Sequence, residues 1–173
     1  HLSCGCSLIV FLGENVQPQR YNQVLGTEAT AHGGGSADAD RDKAPRLLPA
    51  RLGAVLSAPQ GRLDPLGFRH PIVRPFQGRQ TSLLTAPVMK YVKLHLLEGS
   101  QAQVVLAAPG GDALIVEEPI QRGRVVLVAT SADKSWNLLP LWPSFVPLVH
   151  EMVRYCVAGE QYGRGVLVGR ALS

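Results

Sequence analysis

The chain has 173 residues, 46% of them hydrophobic and 17% charged, with a formal net charge of +4. That length holds one ordinary domain with a sizeable core, and the composition excludes an intrinsically disordered chain. The 17 Lys and Arg residues are scattered with no run of five or more, which argues against a nucleic-acid surface, and no apolar stretch reaches the roughly 18–20 residues of a membrane span.

Three cysteines, Cys4, Cys6 and Cys156, are an odd number and do not complete an internal disulfide framework. The chain opens on His1 without a basic-then-apolar leader and stops after "LVGRALS", which reads as a piece of something longer. Cys4-Gly5-Cys6 has no second Cys pair to complete a four-ligand zinc site, so no metal is expected.

Leu8–Leu12 is a continuous apolar run closed by Gly13, the pattern of a strand buried on both faces. Pro18 suits a first helical turn, and Tyr21, Val24 and Leu25 have helical spacing. Gly26–Arg46 is poor in large apolar residues and reads as a flexible surface loop. "LLPARLGAVL" follows as an expected turn of helix, and "RLDPLGFRHPIVRPFQGR" as extended chain punctuated by prolines.

From Ala86 the rhythm is that of strands. Val92, Leu94 and Leu96 alternate with Lys93 and His95, and "AQVVLAA", "ALIVEE" and "RVVLVAT" are joined by short Gly-containing connections, which predicts consecutive antiparallel hairpins. Glu117 and Glu118 are expected as exposed partners of Arg122 and Arg124 across strands. In the last element Phe145, Leu148, Val149, Met152, Val153 and Cys156 form one helical stripe, with Ser144 as N-cap, Pro147 in the first turn and Gly159 as the stop.

Five motifs resemble catalytic or metal sites and fail on their own requirements. Ser131, Asp133 and His150 lack the G-x-S-x-G elbow of a serine nucleophile, and "HGGG" at His32–Gly35 has no such serine to serve. Asp38, Asp40 and Asp42 alternate like a calcium loop, but Lys43 and Pro49 stand where it needs Gly and Glu. "HEMVR" ends in Arg154 where a zinc motif has its second His, and "GRGVLVG" has the wrong spacing for a dinucleotide loop. What remains is the Asp133–Trp142 loop beyond the expected central strand Val125–Thr130, where ligands of open α/β sheets sit. Asp133, Lys134, Trp136 and Trp142 are its candidate ligand-binding residues. Pro140 and Pro143 stiffen the loop, which favours both tryptophans covering the seam between strand and helix.

"LIVFLGENVQPQRYN", "LLPARLG", "HPIVRPF", "IVEEPIQRGRVVLVATSADKSWNLLPLWPSFVPLVHEMVRY" and "GRGVLVG" together resemble the class I glutamine amidotransferase-like domain of large bacterial membrane-anchored proteins. Those proteins also carry an aerotolerance-type (Bat) N-terminal membrane region and a von Willebrand factor A domain. The likeness runs from about residue 5 to the end, strongest over Glu117–Tyr155. It implies a flavodoxin-like α/β sandwich with a mixed sheet, an antiparallel hairpin extension and a C-terminal amphipathic helix, lacking its first strands. The domain would cover 1–159, with 26–46 a flexible loop and 160–173 a linker toward a following domain.

The resemblance further implies protein partners at the cell envelope, a membrane reached through other parts of the full-length protein, and no cofactor. It does not imply amidotransferase chemistry. That chemistry places a nucleophilic Cys on a strand-to-helix elbow between glycines, with a downstream His and Glu. Here Cys4 and Cys6 precede the first strand, Cys156 falls inside a helix, and His150 and Glu151 are adjacent. A non-catalytic interaction or scaffold domain is therefore expected. A second reading is a small-ligand-binding or hydrolytic domain of the trehalose-utilisation-like branch, with a pocket holding Asp133 and a histidine such as His70. A third, a carbohydrate-binding module, would expose Trp136 and Trp142 as a stacking platform.

Overall fold

A computed structural model describes residues 6–26, 47–78, 81–120 and 123–162. The expectations for Cys4, His32–Gly35, Asp38–Asp42, Arg122 and "GRGVLVG" lie outside these residues, as does most of the 26–46 loop and of the 160–173 linker. The elements in order are β1 (Leu8–Phe11), α1 (Pro18–Leu25), β2 (Ala50–Ser57), α2 (Thr81–Leu84), β3 (Lys90–Leu96), β4 (Gln103–Ala107), β5 (Ala113–Ile120), β6 (Gly123–Val128) and α3 (Phe145–Tyr162). Single 3-10 turns occupy Leu66–Phe68, Arg74–Phe76 and Leu139–Leu141.

The fold is mixed α/β. Its larger sheet has the order β1-β6-β5-β4, with β1 parallel to β6 and the other pairs antiparallel. The β4–β5–β6 meander is the run of hairpins that the short connections predict. Between β4 and β5, Gly110 and Gly111 take φ of 101° and 91°, values that only glycine adopts without strain. Val125–Ala129 and Leu114–Val116 are buried, so β5 and β6 are covered on both faces. β1 differs from expectation. It is an edge strand with Leu8 exposed and Ile9, Val10 and Phe11 half-buried, because β6 is its one strand partner among the described residues.

The segment expected as a turn of helix is strand β2, paired antiparallel with β3. A bulge between Leu52 and Val55 interrupts its period-2 pattern, so the alternation is invisible in sequence. Gly53 sits in that bulge, and a Cβ there would stand 2.8 Å from His95 Nε2. The outer side of β2 is met by α1. Asn22 Nδ2 donates to the Leu52 carbonyl (2.8 Å) and its Oδ1 accepts the Leu52 N–H (2.9 Å), so one side chain satisfies both backbone groups as a neighbouring strand would. Asn22 is the buried residue of α1, whereas Val24, placed by sequence on the inner face, is exposed.

The two sheets are joined through the chain that follows β6. Val92 N–H donates to the Ala129 carbonyl (2.8 Å), Met89 and Lys90 N–H to that of Trp136 (2.8 and 3.0 Å), and Leu138 N–H to that of Pro87 (2.9 Å). The proline-punctuated segment is more compact than the extended chain expected: Phe68, Ile72, Val73 and Phe76 are buried along its two 3-10 turns. Leu66, Gly67 and Phe68 all have positive φ (51°, 72° and 55°), which costs about 1–2 kcal/mol at each non-glycine position. Asp64 holds this turn: its Oδ1 accepts the Leu66 N–H (2.8 Å), and its backbone exchanges bonds with Ala107 (3.0 and 2.8 Å).

In α3, Leu148, Met152 and Cys156 are buried and Phe145 and Val149 half-buried, as the stripe predicts. Val153 departs from it at 45% exposure, and Tyr155 packs inward instead. The helix runs through Gly159 to Tyr162, and Ser144 is buried, its hydroxyl without a partner among the described residues rather than capping the first turn. Ser144 contributes its carbonyl, which accepts the Leu148 N–H (2.9 Å). No helix among the described residues is long and apolar enough to cross a membrane.

Two outcomes follow. Asn22→Ala leaves the Leu52 amide and carbonyl facing a void and lowers stability by about 2–3 kcal/mol in urea denaturation. Asp112 accepts from Lys93 Nζ and Tyr91 OH (2.7 Å each), and these bonds, Lys93's foremost, hold its carboxyl below the usual range. A depressed carboxyl contributes stability above its unfolded value of about 3.9 and loses it as pH falls through the lower folded value. Asp112→Asn therefore lowers stability modestly at neutral pH, the pair being partly exposed, and flattens the acid limb, so that variant and parent converge below about pH 4.

Candidate functional site

The loop after β6 spends its polar groups on itself. Ser131 Oγ donates to the Asp133 carbonyl (3.0 Å) and accepts the Trp136 N–H (3.2 Å). Asn137 Nδ2 donates to Thr130 Oγ1 (3.0 Å) and to the Ser131 carbonyl (2.7 Å), while its Oδ1 accepts the Leu139 N–H (2.8 Å). Asp133 Oδ1 accepts from the Ser135 hydroxyl and N–H, which hold its carboxyl below the usual range. Trp136 is only 3% exposed. Trp142 is half-buried, with Nε1 reaching Thr85 Oγ1 at 3.4 Å, and Lys134 is exposed.

The tryptophans therefore pack, and neither forms an exposed stacking platform. Among the described residues no imidazole is a partner of Ser131; His150 is exposed and lies 3.9 Å from Glu151 on its own helix. A cleft of about 420 Å³ does open beyond the carboxyl ends of β1 and β6, lined by Glu14, Asn15, Tyr21, Ser131 and Asp133. Of the predicted site residues, only Asp133 reaches it, since His70 lies toward the amino end of β6.

There a different cluster has formed. Glu117 and Glu118, expected on an exposed face, are buried, Glu117 to 1% exposure. β5 is covered on both faces, so alternation along the strand sends one carboxylate to each side and leaves neither in water. Glu118 Oε1 accepts the Gln101 N–H (3.2 Å). Glu117 is met by three elements. Tyr155 OH on α3 donates to its Oε1 (3.1 Å), Arg124 Nη1 on β6 donates to its Oε2 (3.3 Å), and His70 Nε2 stands 3.5 Å from Oε1.

The left-handed turn at Leu66–Phe68 delivers His70 to this point. Its Nδ1 accepts the Ile72 N–H (3.3 Å), which assigns the proton to Nε2, facing Glu117. Arg124 Nη1 also donates to Tyr155 OH (2.8 Å), its guanidinium lies 4.4 Å from the centre of the Tyr155 ring, and the His70 ring meets the same ring edge-on at 4.9 Å. Burial, followed by the charge of Glu117, pushes the Tyr155 phenol up to about 12, so it stays protonated and can donate.

A cleft of about 530 Å³ opens onto this network between Ser100–Gln103 and Arg124. The arrangement can hold a polar ligand at a fixed guanidinium. Among the described residues no three of His, Cys, Asp and Glu converge as metal ligands. Sequence reasoning missed Glu117, Arg124 and Tyr155 as a unit. The signal was the run Ala113–Val116 passing straight into two glutamates and on to Pro119-Ile120: charges inside an apolar strand, not beyond it.

No family model matches the chain, and no curated protein matches it. Among solved structures it is similar to the cytoplasmic protein STM3548 from Salmonella typhimurium, at 18% identity and a TM-score of 0.57, over 89% of this chain and 56% of that one. It is also similar to the cytoplasmic protein STM1381 from Salmonella typhimurium LT2, at 24% identity and a TM-score of 0.45, over 66% of this chain and 43% of that one. The chain thus spans about half the length of each. The first likeness supports the α/β fold alone.

Removing a buried partner from an ion pair strands the other charge. Glu117→Ala should cost about 3 kcal/mol of stability, the low end for a buried pair because Arg124 keeps some access to water. His70→Ala, which removes a neutral ring, should lose less in the same urea titration.

Proposed function

We propose that the chain is a non-catalytic interaction domain of a membrane-anchored bacterial cell-envelope protein, built on a flavodoxin-like, amidotransferase-like core. The observation that carries this reading is the outward face of α3. Val146 (73% exposed), Val153 and Val157 recur at helical spacing, with exposed Leu141 just before them. Three aliphatic residues along one helix face, with a fourth exposed in the turn before the helix, are more than the scattered apolar exposure of an ordinary surface, and such patches mark protein contacts.

The loop after β6 supports the same conclusion. The hydroxyl and amides that chemistry would need are engaged in holding the turn, and Trp136 is part of the core. The envelope setting rests on the resemblance carried by "LIVFLGENVQPQRYN" and by Glu117–Tyr155. The trehalose-utilisation-like reading is favoured by one observation, the cleft beyond β1 and β6 with Asp133 on its wall. It lacks the histidine it needs there, since His70 faces Glu117 toward the other end of β6.

The test is site-specific photo-crosslinking from position 146 in the full-length protein in its native envelope. A discrete adduct is expected, lost at least tenfold when Val153 and Val157 are replaced by Asp, while unfolding shifts by no more than about 0.5 kcal/mol. Asp133→Ala leaves the adduct unchanged. An adduct indifferent to both aspartates, together with a small-molecule turnover abolished by Asp133→Ala, would replace this reading with the second.

A further inference from the structure

Arg124 keeps one edge of its guanidinium outside the Glu117 network. Both hydrogen bonds of its guanidinium run through Nη1, to Glu117 Oε2 (3.3 Å) and Tyr155 OH (2.8 Å). Nη2 and Nε have no acceptor among the described residues, on a side chain 27% exposed that lines the 530 Å³ cleft. The Tyr155 ring fixes the guanidinium from one side, and Glu117, itself held by Tyr155 and faced by His70, fixes it from behind. An arginine held in this way has lost most of its side-chain freedom before any ligand arrives, so binding need not immobilise it.

We propose that this cleft binds the carboxylate of a small organic acid, fork to fork on the free edge of Arg124. The planar guanidinium presents two parallel donors at the spacing of a carboxylate. Ser100, Gln101 and Gln103 line the cleft with neutral hydrogen-bonding groups, and Pro119 and Ala102 offer apolar surface to a short carbon chain. Charge selects the monoanion. Glu117 lies close behind the site and cancels much of the attraction of Arg124, so each unit of ligand charge gains little. The cost of removing an ion from water rises with the square of its charge, which weighs against a phosphate dianion. Matching geometry, not net field, then supplies the affinity, which should be weak, with a Kd on the order of 1 mM for a minimal acid.

The experiment titrates the chain at constant ionic strength with acetate, inorganic phosphate and glycerol, reading the backbone signals of residues 101–103 and the Nε–H signal of Arg124 by NMR. Acetate is expected to shift them saturably, phosphate at least several-fold more weakly, and glycerol not at all. Gln103→Glu changes an exposed rim residue outside the buried network and should weaken acetate about two- to fivefold, whereas Gln103→Lys should tighten it by a similar factor. The proposal is overturned if acetate gives no saturable shift up to about 100 mM. It is equally overturned if phosphate or glycerol binds as tightly as acetate, or if Gln103→Glu leaves acetate binding unchanged.

Discussion

A carboxylate exposed by only 1% must find its donors inside the protein, and those of Glu117 come from the adjoining strand and from a helix farther along the chain. Tyr155 comes from α3 and Arg124 from β6, while His70 faces it from the segment behind the left-handed turn. An ion pair of this kind adds little net stability over a well-packed apolar replacement, yet it penalises every arrangement in which the partners are separated. Its effect is therefore on geometry. For Tyr155 to reach Glu117, α3 must turn so that Leu148, Glu151, Met152, Tyr155 and Cys156 face the sheet. Val153 is thereby carried to the outside, where it joins Val146 and Val157 in the aliphatic face that we assign to partner contact.

The two ends of β6 divide the work. At its amino end the charged network joins sheet, helix and left-handed turn, and Ser7 adds a clasp by accepting the Arg124 N–H (3.2 Å) and donating to the Cys156 carbonyl (3.3 Å). At its carboxyl end neutral bonds dominate. Ser131, Trp136 and Asn137 knit the loop, and the backbone of Ala129 and Trp136 receives β3. The second end has the position of a ligand site in open α/β sheets but uses its groups as joinery. The first end leaves two guanidinium nitrogens without an acceptor among the described residues, beside a cleft.

Much of this architecture is legible in the residues. The β4–β5–β6 meander follows from apolar runs with glycine turns, α3 from its stripe, and the packing of Trp136 from the prolines that stiffen its loop. The failures have physical causes. β2 is disguised by the bulge at Gly53, which breaks the alternation a strand is recognised by. Val24 and Val153 fit an apolar helical period, but Asn22 and Tyr155 make better inward partners because they answer hydrogen-bonding needs of other elements. Glu117 and Glu118 read as surface charge because sequence does not show that β5 is covered on both faces. His70 was legible as a candidate but not its address, which depends on three successive residues of positive φ pinned to β4 by Asp64.

The pairing of β1 with β6 carries a kinetic consequence. It brings together residues as far apart as Ser7 and Arg124, 117 positions along the chain, whereas the meander is assembled from near neighbours. Closing so long a loop costs entropy that local hairpins do not incur, so the meander has the means to form first and β1 to dock late. Until it does, the apolar margin of β6 stands open as a template for any extended segment, including the β1 of another copy. The risk of strand exchange in this domain is therefore concentrated in the interval before its first four-residue strand arrives.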